Sequence, residues 1–216
     1  MKKSIFTLVL VLLFIVGFAS DAYQKAMSQS IEKLFQAKTI PEYVEVANQF
    51  ERISQMEKAE WLPLYFASYA YIMISFQETE NAKKDQYLDQ AQKYLDQAMT
   101  LESGESELYM LQGFLYPSRI TIDPMTRGME LMPEMNKTLD KALELNPDNP
   151  RVYYLRATMT YHMPEAYGGG AAKALPLFQL AAEKFSIFKP ETSISPNWGK
   201  DICDSELENI QETMPK

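Results

Sequence analysis

The sequence has one cysteine and one histidine in 216 residues. A single thiol, Cys203, excludes an internal disulfide, so stability must come from packing even in an oxidising compartment. A single imidazole, His162, with no partner at ligand spacing, removes the usual zinc sets and the nucleophile–histidine pairs of hydrolytic enzymes. Positive charge is also short: 21 Lys and Arg face 29 Asp and Glu, a formal charge of −8. An acidic surface without a basic stripe repels phosphate backbones, which excludes a nucleic-acid partner. Glycine is scarce, at eight residues. Long stretches without Gly or Pro, and no sustained period-two alternation, point away from strands and toward helices.

What is present begins with the N-terminus. Lys2 and Lys3 precede an apolar run from Ile5 to Val16, and Gly17-Phe18-Ala19 offers small residues where a signal peptidase cuts. The run is shorter than the ~20 apolar residues of a membrane span. Residues 1–19 are therefore expected to be a signal peptide, cleaved after Ala19 or after Ala22, which predicts a periplasmic or secreted chain with no membrane span once cleaved. Without Lys2 and Lys3 the balance is 19 basic to 29 acidic residues, a charge of −10. Residues 20–216 suit one domain.

Apolar residues then recur at helical spacing. Tyr23, Met27, Ile31, Leu34 and Phe35 form one stripe; Tyr43, Ala47, Phe50 and Ile53 form the next. The second opens with Thr39-Ile-Pro-Glu42, a capping box with proline in the first turn. Internal similarity goes further. Ala91-x3-Leu95-x2-Ala98 returns as Met135-x3-Leu139-x2-Ala142 and as Ala174-x3-Phe178-x2-Ala181. Tyr109-x2-Gln112-Gly113-x2-Tyr116 and Tyr153-x2-Arg156-Ala157-x2-Thr160 precede the last two copies. A small side chain at a helix crossing lets two axes approach within ~8–10 Å while a bulky one fills the space beside it.

These two half-motifs, with the terminator Leu143-Glu-Leu-Asn-Pro147, resemble the tetratricopeptide repeat (TPR) family. With Met-Pro-Glu-x-x-Gly-Gly-Gly and the late Pro-Asn-Trp-Gly, the chain resembles small exported TPR proteins of Bacteroidota-type bacteria. The resemblance implies an all-α solenoid of about four helix pairs, roughly 21–55, 58–102, 106–146 and 149–186. A capping helix over 195–212, opened by Ser195-Pro196, closes it. Repeat spacings of 44 residues (Tyr109 to Tyr153) and 39 (Ala142 to Ala181) exceed the usual ~34. The excess falls between helices A and B of the second, third and fourth pairs, which predicts insertions along one edge. In the second pair either Trp61 or a later residue takes the aromatic slot.

Candidate chemistry is sparse. Gly168-Gly169-Gly170 before a helix is a candidate anion site, but it lacks the strand and the Gly-Lys-Ser/Thr of a P-loop, and a turn explains it. Met125, Met129, Met132 and Met135 are clustered thioethers of the kind that hold Cu(I). Pro133 interrupts a single face, and adaptable packing is the simpler reading. Cys203 reads as a small apolar residue on a terminal helix. No enzyme constellation, no cofactor and no small-molecule substrate is called for.

What the resemblance implies instead is a binding scaffold whose A helices line a concave groove for a protein or peptide partner. The groove residues it predicts are Phe66, Tyr69, Met110, Phe114, Tyr154, Thr158 and Tyr161, with Arg119, Arg127 and Arg151 adding positive charge. The competing readings are a Met-rich copper-handling protein using Met125, Met129 and Met132, or a purely structural subunit of a cell-envelope complex.

Overall fold

The computed structural model describes residues 21–213, and the signal-peptide expectation for 1–19 lies outside them. The chain is an all-helical, TPR-like solenoid, with no strand among the described residues. Its pairs are α1 (21–36) with α2 (Ile40–Met56), α3 (Leu62–Gln77) with α4 (Asn81–Leu101), α5 (Ser106–Ile120) with α6 (Pro124–Leu145), and α7 (Pro150–His162) with α8 (Ala171–Ile187). Helix α9 (Lys200–Thr213) packs on α8 and ends the stack.

Helix starts follow local chemistry. Glu42 accepts the N–H of Thr39 at 2.9 Å and of Lys38 at 2.8 Å, so the capping box forms as predicted. These bonds hold its carboxyl below the ordinary range. Asp123 and Asn149 cap α6 and α7, each with proline in the first turn. Trp61 stands at the N-cap of α3, outside the helix, so the aromatic slot of that pair falls to a later residue.

Gly113 explains how α5 and α6 come together. A Cβ there would lie 2.4 Å from Leu139 Cδ2, so Leu139 fills the place of the missing side chain. Ala157 and Ala98 are likewise fully buried. Successive A helices touch, α3 beside α5 and α5 beside α7, while their B partners do not pack on one another to the same degree. The A helices therefore form the inner face of the curve.

The predicted insertions take a different form. Turns of three residues separate α3 from α4 and α5 from α6, and the excess lengthens the B helices, which reach 21 and 22 residues. Pro133 lies inside α6 and does not end it. Only the last pair has a longer connection, with a 3-10 turn at Glu165–Tyr167. Gly168 and Gly170 there have φ of 86° and 93°, and a Cβ on Gly169 would lie 2.1 Å from the Met163 carbonyl oxygen. The glycine amides donate to the carbonyls of Glu165, Pro164 and Thr160, so their N–H groups are not open to an anion.

The C-terminal segment also departs from expectation. Residues 188–199 are not helical, and α9 begins at Lys200, five residues after Ser195. Trp198 is buried and Gly199 adopts φ 102°, turning the chain into α9. This stretch is a strap laid against the inner face.

Candidate functional site on the inner face

The strap enters where the A helices converge on a buried polar network. Glu107 of α5 accepts Arg151 of α7 through Nε at 2.8 and 3.0 Å and through Nη2 at 2.7 Å. Asn149 donates to the same carboxylate at 2.8 Å, and the Tyr65 hydroxyl of α3 lies 3.3 Å from it. Both charges are buried, and every oxygen of Glu107 is engaged, the condition under which a buried pair is tolerated. Trp198 closes the network from the strap. Its indole N–H donates to Tyr65 at 2.9 Å, and its carbonyl accepts Arg151 at 3.2 Å. The Phe188 ring lies 4.6 Å from the guanidinium, a cation–π contact. Burial, then the nearby Glu107, pushes the Tyr65 hydroxyl well up, so it stays protonated.

Above this network runs a ribbon of aromatic rings. Phe35 meets Tyr69 at 6.0 Å, Tyr69 meets Phe114 at 6.1 Å, and Phe114 meets Phe76 at 5.5 Å. Trp198 lies between them, 4.9 Å from Tyr69 and 5.6 Å from Phe114. Tyr69 and Trp198 are buried, whereas Phe35 is 48% and Phe76 42% exposed. Two half-exposed rings over buried rings make an apolar shelf that water solvates poorly.

The predicted groove residues divide. Tyr69 and Phe114 belong to the ribbon. Phe66 and Met110 are buried, Phe66 stacked on Phe50 at 5.3 Å, so neither presents its side chain to a partner here. Tyr154 and Thr158 face Glu206 of α9, each with an oxygen 3.4 Å from it, and Tyr161 packs on Phe178. The three arginines are all spent inside the fold. Arg151 pairs with Glu107, while Arg127 and Arg119 converge on Asp85 of α4 at 2.7 and 3.3 Å. They brace the lengthened helices and are not free positive charges in a groove.

Phe35, Phe76 and Trp198 were not predicted. Phe35 and Phe76 both carry a sequence signal: Phe35 belongs to the first apolar stripe, and Phe76 places an apolar ring at the end of its A helix. Trp198 had only the unexplained Pro-Asn-Trp-Gly.

The other candidates remain apart. Met125 and Met129 point into solvent on α6, Met132 is half-buried, and Met135 is in the core. Cys203 is buried, and burial pushes its thiol up to about 12, which favours the neutral thiol over the thiolate. His162 is exposed beside Tyr161. No group of three or more His, Cys, Asp or Glu converges on a metal position among the described residues.

The class these features define is the TPR-like α-solenoid. Among solved structures the chain is similar to the HusA haemophore from Porphyromonas gingivalis, at 27% identity and a TM-score of 0.78, over 90% of this chain and 96% of that one. A thermophilic TPR protein from Thermus thermophilus matches at 15% identity and a TM-score of 0.46, over 88% of this chain and 99% of that one. No protein-family profile and no curated protein matches the chain.

Proposed function

We propose that this chain is an exported, non-catalytic carrier that captures a planar, largely apolar ligand of the haem type on its inner aromatic face. The observation that carries the reading is similarity to a haemophore along nearly the whole of both chains. Export is supported by the N-terminal sequence, and none of the described helices is long and apolar enough to cross a membrane. The ribbon supplies a fitting surface, because Phe35 and Phe76 offer ring faces on which a macrocycle can stack. The non-catalytic reading is supported by the buried thiol of Cys203 and by the solitary, exposed His162.

This reading adds a small planar ligand that the sequence did not call for. A peptide in the groove over α5 and α7 would have to displace the strap and α9, which already cover it. A protein partner would more readily meet the outer helices and the edge formed by the turns between A and B.

The test is titration of the mature chain with hemin, followed by the Soret band. The wild type gives a saturable shift at one equivalent, and Phe35→Ala with Phe76→Ala weakens it about tenfold, the equivalent of losing one to two ring contacts. A wild type that leaves the hemin spectrum unchanged would overturn the proposal.

A further inference from the structure

The strap has no counterpart in the repeats, yet it is hydrogen-bonded to α3 and α7 and packed on rings of α3 and α5. We infer that the strap Phe188–Gly199 is a built-in occupant of the inner groove, and that its Trp198 is the positioning residue of the ligand-binding aromatic ribbon. The inference rests on the proposed capture of a planar ligand and goes beyond it, by naming what sets the surface and what the bound ligand acts upon.

Trp198 is held from three directions. Its N–H is fixed by Tyr65, its carbonyl by Arg151, and its ring is lodged against Tyr69 and Phe114. Tyr69 and Phe114 come from different helix pairs, so the indole fixes the spacing of two rings that no local sequence fixes. Without it, those rings would border an apolar void that neighbouring side chains refill only in part. The groove that TPR proteins offer to peptides is thereby narrowed to its rim, where Phe35 and Phe76 remain open. A ligand stacked on that rim rests on rings buttressed by Trp198. Because the ligand rests on rings that the docked strap holds in place, binding favours the docked strap, and by reciprocity docking favours binding to the same extent.

The experiment uses the mature chain, its Trp198→Ala and Trp198→Phe variants, hemin as the probe, and limited proteolysis within residues 188–199. In the wild type, saturating hemin slows strap cleavage by about threefold or more, a coupling that a merely structural tryptophan would not produce. Trp198→Ala weakens hemin binding about five- to tenfold, and Trp198→Phe, which keeps a ring but loses the indole N–H, recovers most of it. If the wild type binds hemin while strap cleavage ignores hemin and Trp198→Ala binds as tightly as the wild type, the strap's role is overturned and the carrier reading stands. If the wild type does not bind hemin, both fall. Should Trp198→Ala lose its helical signal, the decision passes to Trp198→Phe and the wild-type cleavage rates. Failure of both to respond overturns the inference.

Discussion

At Gly113 the backbone of α5 passes so close to α6 that a Cβ would sit 2.4 Å from Leu139 Cδ2 and 3.5 Å from Leu155 Cδ2. Leu139 is fully buried and cannot swing away without opening a gap elsewhere. Gly113→Ala is expected to destabilise the fold by about 1–3 kcal/mol, the usual cost of overpacking, despite alanine's better helix propensity. A urea unfolding midpoint checks it, and a variant as stable as the wild type would refute the tight crossing. Glu206 gives a residue-scale prediction of another kind. Burial between α9 and α7 raises its carboxyl above the ordinary range, against the smaller opposing effects of Tyr154, His162 and Thr158. A carboxyl whose folded pKa is raised favours the native state more in its protonated form, so its burial costs stability as pH rises through that pKa. Glu206→Gln is therefore expected to melt higher than the wild type at pH 7, with the advantage shrinking as pH falls toward 4. Thermal melts across that range measure it; an advantage that grows in acid would contradict the sign.

Among the elements, α3, α5 and α7 meet at the Glu107 carboxylate, and the strap joins them through Tyr65 and Arg151. Removing the charge of Glu107 leaves Arg151 buried without its counterion, and breaking such a pair costs about 3–5 kcal/mol. Glu107→Gln should therefore lose stability on that scale. It should also weaken the near-ultraviolet circular dichroism of Trp198, since the strap shares the network. Stability lost without any change in that signal would separate the strap from the pair. Element type and order are legible in the sequence because helical periodicity, caps and small crossing residues are local signals: Thr39–Glu42 and Gly113 act as read. The form of the inserted residues is less so. Pro133 suggests a break, but the lengthened α6 is braced by Arg127 on Asp85, forty-two residues away in the chain. Arg151 reads as a positive charge in the groove because nothing local marks Glu107, forty-four residues away, as its partner across pairs. The strap escapes a sequence reading for the same reason. Ser195-Pro196 has the pattern of a helix start, and only the distant rings of Tyr69 and Phe114 make Trp198 better placed inward.

On the scale of the whole molecule, a curved stack of helix pairs has an inner face that is ordinarily open, and this chain closes much of its own. What remains accessible is a rim of aromatic rings along the C-terminal halves of α1, α3 and α5, bordered by the strap. The groove is legible as an aromatic inner face, through Tyr69 and Phe114. Its partial occupation is not, because occupation depends on where the last segment returns after four pairs have stacked. The ligand proposed for it rests on whole-chain similarity to a haemophore and not on any motif.

The central claim, that the inner aromatic rim receives a planar ligand, is tested most directly by hydrogen exchange of the mature chain with and without hemin. Slowed exchange is expected, confined to the C-terminal halves of α1, α3 and α5 and to residues 188–199. Protection spread over the outer faces of α2, α4 and α6, or no protection under saturating hemin, would contradict it.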